Sequence, residues 1–285
     1  MSVLNHKIDF TALVSVSMAN CNGDPLNGNR PRTDYQGFGE ISDVCIKRKL
    51  RNRMQDLGAN IFVQSDERSD DGFKSLSERA SKTLPKTKDR EEYAQKACEI
   101  WTDVRSFGQV FAFKSGSVSV GVRGPVTVHQ AVSVSPVEIN SMQITKSVNG
   151  EPAKNEAGDA DKRSSDTMGS KHMVRFGLYR IKGSINVQLA QKTGFTDEDA
   201  VLIKECLRTL FENDASAARP EGSMEVVKLY WWEHDCPIGQ YSSAKVHRSL
   251  HVTPKEGVDA PACVDDYNVT LEELPGLSCE IVDGL

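Results

Sequence analysis

The segment Lys47-Arg-Lys-Leu-Arg-Asn-Arg53 concentrates the chain's chemistry: residues 41–57 carry five cations against Asp43 and Asp56. Lys47 and Arg51 stand four residues apart, so on a helix they share one face, with Arg48 beside them. Such a face can grip phosphates, although a solvated helix surface has the same composition. The preceding loop tilts the reading towards nucleic acid. Asn20, Asn22, Asn27, Asn29, Arg30 and Arg32 add amide and guanidinium donors suited to phosphate, sugar and base edges. A second set is Thr167-Met-Gly-Ser-Lys-His172, where Met168 can wedge against a base while Lys171 or His172 holds a phosphate. From spacing alone, an ordinary hairpin base with a surface methionine is the preferred account of it. Arg123, between Gly121 and Gly124, lets a ligand approach the backbone closely, a weak signal.

Patterns for catalysis are poor. The sequence has no phosphate-binding G-x-x-x-x-G-K-[ST] loop, nucleophile elbow, H-E-x-x-H or G-x-G-x-x-G. His247 and His251, and the run His234-Asp-Cys236, lack the further ligands that would complete a metal centre. Asp24, Asp34 and Asp43 have the donor chemistry for Mg²⁺ in phosphodiester hydrolysis, but turns and a helix cap explain them more economically. The expectation is therefore no catalytic residue, no metal and no cofactor.

The elements that position these residues follow from periodicity. Ile8 to Met18 alternates as a strand, and Asn20–Arg32 is a loop running towards Glu40. Apolar residues 41, 45, 46, 50, 54 and 57 predict a helix capped by Ser42 or Asp43 and ended by Gly58. Residues 65–91 read as an exposed, mobile insertion, and Tyr93 to Phe107 as one helix ending at Gly108. Val118–Ile144 predicts bent strands, and the polar stretch 145–170 followed by the apolar run from Met173 predicts a hairpin arm. Thr196-Asp-Glu-Asp199 opens a helix to about Glu212, and Met224–Trp232 closes with a strand. Strand, helix, strand, strand, helix, strand is ferredoxin-like order, so the expected class is α+β; that order alone decides no function.

Composition sets the bounds. At 285 residues with 38% hydrophobic and 26% charged, the chain has material for one large domain with insertions, and a disordered tail or small disulfide scaffold does not fit. The seven scattered cysteines form no C-x-x-C pair and read as reduced cytosolic thiols; no apolar run is long enough for a membrane span. A cytoplasmic, non-membrane protein is expected. The net charge of −5 is uneven. Residues 256–285 hold eight acids and no Lys or Arg, leaving +3 on the rest.

Several motifs resemble one family as a set: Asn22-Gly-Asp-Pro25, Asn29-Arg-Pro-Arg32-x-Asp34, Ile41-Ser-Asp-Val44-x-Ile-Lys-Arg48, Asp103-Val-Arg-x-Phe-Gly108, Arg123-Gly-Pro-Val126 and Lys171-His-x-Val-x-Phe-Gly-Leu-Tyr179. Together they resemble the guide-RNA-binding backbone subunit, of the RAMP superfamily, of type I CRISPR Cascade complexes, in the Csd/Csh branch and most like subtype I-C. The resemblance implies a ferredoxin-like or RRM-like palm, a helical fingers insertion at about 60–117, an extended β-hairpin thumb at about 140–172 and an acidic C-terminal segment at 256–285. It also implies non-catalytic copies assembling along a CRISPR guide RNA, with other Cascade subunits, and presenting the guide to target DNA. By family position the RNA-binding residues would be Asn22, Arg30, Lys47, Arg48, Arg51, Met168, Lys171 and His172. No aromatic RNP motif is present, so backbone contacts rather than base stacking on the sheet are expected.

Two competitors remain at this point. One is an RNA-cleaving RAMP enzyme using Asp24 or Asp34 with a metal, or His172 without one. The other is a ferredoxin-like interaction module that binds no nucleic acid. The acidic segment is expected to pack against a neighbouring copy's basic surface or to discourage stray RNA.

Overall fold

The computed structural model describes residues 2–113, 118–145 and 168–285. Its strands are β1 (Ile8–Ala19), β2 (Gly23–Asp24), β3 (Arg30–Pro31), β4 (Phe38–Ile41), β5 (Gly108–Phe111), β6 (Val120–Arg123), β7 (Val126–Val128), β8 (Ala131–Pro136), β9 (Ile139–Thr145), β10 (Met168–Ile185), β11 (Met224–Glu233), β12 (Leu250–Pro254), β13 (Tyr267–Leu271) and β14 (Cys279–Asp283). The helices are α1 (Asp43–Asp56), α2 (Leu76–Thr83), α3 (Arg90–Ile100), α4 (Thr102–Phe107), α5 (Val187–Thr193), α6 (Asp197–Arg208) and α7 (Ser243–Ser249).

The result is a mixed α+β fold around one large antiparallel sheet in the order β14-β11-β1-β10-β8-β4, with β7 and β9 also paired to β10. Alternation of side chains along β1 decides what covers each face. Ile8, Phe10, Ala12, Val14 and Val16 point towards α1 and α6, joining Ile46, Leu50, Ile203 and Leu207 in the main core. Leu13 points the other way, where Leu178, Tyr230 and Trp232 are covered by Val246, Leu250, Val252, Tyr267 and Leu274. Residues 60–113 hold a third core, with the Phe62 ring tilted against Trp101 at 4.6 Å and against Phe111 at 5.2 Å.

Several expectations need correction. The helix expected over 93–107 breaks at Trp101, which is extended (φ −115°, ψ 118°), so that its ring enters the third core. The stretch 65–91 is exposed in part, yet α2 lies inside it and Arg79 is buried, donating to the Phe62 carbonyl at 2.8 Å and pairing with Asp71. The strand pattern of the apolar run from Met173 ends at Ile185, and Val187 opens α5 behind an Asn186 cap. The acidic segment 256–285 is built into its own subunit: β13 pairs with β12, β14 extends the sheet beside β11, and Glu280 and Asp283 pair with Lys204 and Lys228.

Candidate nucleic-acid interface

β1 ends at Ala19 opposite Val174, the base of the hairpin formed by β9 and β10. The loop that follows is ordered by its own polar side chains. Asn20 donates to the Asn29 carbonyl at 2.7 Å, and Asp24 caps the Pro25–Asn27 turn by accepting from Leu26 N at 3.1 Å. Gly28 and Asn29 close that turn at positive φ. Asp34 accepts from the Gln36 and Phe38 amides at 2.8 and 2.9 Å, a turn that brings Gly39 beneath Tyr179, where a β-carbon would collide with the phenol. The economical reading of Asp24 and Asp34 therefore matches their geometry. Among the described residues, no group of three or more His, Cys, Asp or Glu converges as a metal site.

The predicted loop residues take different positions. Asn22 accepts from Ser42 N at 2.9 Å, tying the loop to the start of α1, where Ser42 caps the helix as expected. Arg30 is half-buried in the β2–β3 ribbon, and its guanidinium has no partner among the described residues.

The helix cations are engaged within the subunit. Arg51 Nε donates to Asp103 at 3.0 Å, its guanidinium lies 5.1 Å from the Phe107 ring, and its side chain is 13% exposed. Asp103, almost fully buried, also accepts from the Phe62 and Val63 amides at 2.7 and 3.1 Å. Arg48 donates to the Val63 carbonyl at 2.7 Å; burial, and then the neighbouring Arg51 charge, pull it below the ordinary arginine range. Lys49, whose pKa burial lowers, pairs with Asp214, while Arg53 donates to Thr209 at 2.7 Å. Lys47 makes a more open pair with Asp43 at 3.1 Å. The basic run thus clamps the sheet, the third core and the loop after α6 together.

On the hairpin the register separates two faces. Met168, Ser170 and His172 oppose Thr145, Gln143 and Ser141, while Lys171 opposes Met142 on the other face. Met168 is 66% exposed and receives a contact from Gln143 Nε2 at 3.0 Å. His172 Nδ1 lies 2.9 Å from Ser141 Oγ, and Lys171 has no partner among the described residues. From Val174 to Met168 the strand extends about 20 Å at its usual rise. Residues 146–167, the expected outer part of the arm, lie outside the described residues. Thr167 of the motif lies there too.

The structure places Asn22 and Arg30 near the base of the hairpin and Met168, Lys171 and His172 along it. Lys47, Arg48 and Arg51 stand on α1, behind the sheet's main core. Sequence reading missed Asp103 as the acceptor for Arg51, and it did not single out Arg180 and Lys182, which sit two apart on β10 on the face of Leu178.

Fold and surface together define a mixed α+β protein with an ordered polar loop and a projecting hairpin beside it. The family model for "CRISPR-associated protein Cas7" matches residues 6–272. A relative described as CRISPR-associated protein Cas7, from Haloferax volcanii, is 25% identical over 240 residues, covering 77% of this chain and 68% of its own length. Among solved structures, a chain of a pre-nicking CRISPR RNA-guided surveillance complex overlays with TM-score 0.47 and 16% identity, covering 79% of this chain and 78% of that one. A second, from a CRISPR RNA-guided surveillance complex, gives TM-score 0.44 and 17% identity over 79% and 68%. The chain belongs to the CRISPR-associated Cas7 family.

Proposed function

We propose that this protein is the backbone subunit of a Cascade surveillance complex, several copies of which bind one CRISPR guide RNA and present it for pairing with target DNA. The family match over residues 6–272 carries this reading. We further assign it to the Csd/Csh branch, most like subtype I-C, on the motif set from Asn22 to Tyr179. The strand order β11-β1-β10-β8, with α1 and α6 on one face, supports a ferredoxin-like palm. Residues 60–117 would be the fingers and 140–172 the thumb, supported by the separate third core and the β9–β10 pairing.

Binding would rest on phosphates, with sequence delegated to base pairing. Arg30 and Lys171, without partners among the described residues, would be direct contacts, with Met168 wedging a base and His172 beside it. Lys47 would exchange Asp43 for a phosphate, since exposed pairs cost little to open. Asn22, Arg48 and Arg51 would act chiefly by holding the loop and α1 in place, keeping only their remaining donors for RNA. In this reading the subunit works without catalysis in the cytoplasm. No helix among the described residues is long and apolar enough to cross a membrane.

The test is co-expression with a repeat-spacer transcript and the neighbouring operon subunits, followed by a high-salt wash, complex mass and sequencing of retained RNA. A large assembly with guide-length RNA is expected; an RNA-free monomer would overturn the reading. Repeat-RNA cleavage abolished by Asp34→Ala or His172→Ala, with RNA binding intact, would establish the nuclease alternative instead.

A further inference from the structure

The sheet face turned away from α1 carries an unneutralised pair of cations. Arg180 and Lys182 alternate with the core residues Tyr179 and Ile181 on β10, so both lie on the face of Leu13 and Leu178. Each is half-buried, and among the described residues neither has an ion pair or a hydrogen bond from its side chain. Burial lowers Arg180; burial and then the Arg180 charge lower Lys182.

Their surroundings supply further hydrogen-bonding groups. Thr11 stands directly opposite Lys182, is 1% exposed, and its hydroxyl has no partner. His129 follows β7, donates its amide to the Lys182 carbonyl at 2.8 Å and presents its ring 6.0 Å from that of His247 on α7. Of the carboxylates on this face, Asp9 is engaged by Lys7 at 3.1 Å and His234 at 2.9 Å, and Glu40, which faces Val132 across from Arg180, makes no ion pair with either cation among the described residues. Lys228, on the same face, has its own carboxylate partner in Asp283, whereas Arg180 and Lys182 have none among the described residues. Leaving two cations half-desolvated and close together is costly without an anion.

We infer that Arg180 and Lys182, with Thr11 and His129 beside them, form a phosphate-binding site that takes a nucleic-acid phosphodiester on the opposite face of the sheet from α1. A guanidinium fork, an ammonium, a hydroxyl and an imidazole offer donors in several directions, which suits a tetrahedral oxyanion better than a planar carboxylate. Of the subunit's own acidic segment, Glu280 and Asp283 are paired elsewhere, and no acid of the segment makes an ion pair with Arg180 or Lys182 among the described residues. The inference rests on the nucleic-acid reading above but concerns a different surface. It implies that one subunit touches two stretches of backbone, either a second pass of the guide or a DNA strand.

The experiment uses the full chain with fluorescein-labelled 30-nucleotide RNA and, separately, single-stranded DNA, recording log K against log salt by anisotropy. Arg180→Gln/Lys182→Gln should make the slope shallower by about 0.7–1.4 for whichever strand occupies the site, as expected for one or two lost phosphate contacts on a single strand. Arg180→Lys/Lys182→Arg should keep the wild-type slope. A slope change with RNA only assigns the guide, and with DNA only the DNA strand. Unchanged slopes with both probes, in a variant whose thermal midpoint is retained, would overturn the inference alone. If assembly mass fell while both slopes held, an acidic protein partner would be the occupant and the inference would again fail. A wild-type chain that bound neither probe would overturn both this inference and the function it rests on. Lys182→Gln alone, expected to lose about half the effect, guards against misfolding of the double variant.

Discussion

The basic helix α1 and the β9–β10 hairpin carry similar chemistry and use it in opposite ways. On α1 the cations face Asp43, Asp103, Asp214, the Val63 carbonyl and Thr209, all within the subunit. On the hairpin Lys171 has no partner among the described residues and Met168 is two-thirds exposed. Local charge density therefore marks where a fold is fastened as readily as where it binds. A cation's availability depends on the carboxylates and carbonyls that distant segments bring to it, and those segments are 52 residues away for Arg51 and 165 for Lys49.

The comparison breaks most sharply at Asp103. Asp103→Ala strips the acceptor from Arg51, from the buried Phe62 amide and from the part-buried Val63 amide, and should cost about 3–5 kcal/mol in a denaturant titration. A loss below about 1 kcal/mol would mean that α1 and the third core are not clamped there. Arg51→Ala comes next, at about 1–3 kcal/mol, because Asp103 keeps its two amide donors. Its expected signature is a stability loss exceeding any change in the salt dependence of RNA binding.

The second sheet face supplies a smaller, pH-dependent effect. His247 is buried against the Gly183 carbonyl at 3.1 Å, and burial lowers its pKa from the ordinary 6.5. The unfolded chain then binds more protons below that pH. Stability should be at its full value above pH 6.5 and fall as the pH drops towards the folded-state pKa, by at most about 1.4 kcal/mol per pH unit. Denaturation midpoints of wild type and His247→Gln across pH 5–8 check this; the variant should lose that component of the slope. The smallest stability effects belong to the hairpin. Lys171→Ala and Met168→Ala should stay within about 0.5 kcal/mol of wild type while weakening RNA binding.

Much of this architecture was legible because its signals are local. β1 and α1 follow from alternation and from the Ser42 cap, and α6 from the Thr196–Asp199 capping box, in which each residue satisfies the other's backbone amide. What escaped depends on tertiary demand. Trp101 sits in a segment with helical periodicity, but the ring is needed against Phe62, so the chain extends for one residue and restarts as α4. The C-terminal strands were hidden by eight acids; Tyr267 and Leu274 nevertheless cover Trp232 and Leu178, a face that no earlier segment closes fully. At the candidate interface, the residue types of Asn22, Lys47 and Arg51 were legible, whereas their engagement by Ser42, Asp43 and Asp103 was partly not. The i,i+4 spacing of Asp43 and Lys47 displayed its pair in advance, but nothing local announced Asp103.

The most direct test of the account is the salt dependence of guide-length RNA binding by Arg30→Gln/Lys171→Gln beside Arg51→Gln. If the open loop and hairpin hold the guide, the double variant should flatten the slope by about 1.4, two single-strand phosphate contacts, with its thermal midpoint unchanged, and Arg51→Gln should lower the midpoint with little change in slope. A double variant with the wild-type slope, alongside an Arg51→Gln slope that flattens at constant stability, would contradict the account and return the guide to the helix.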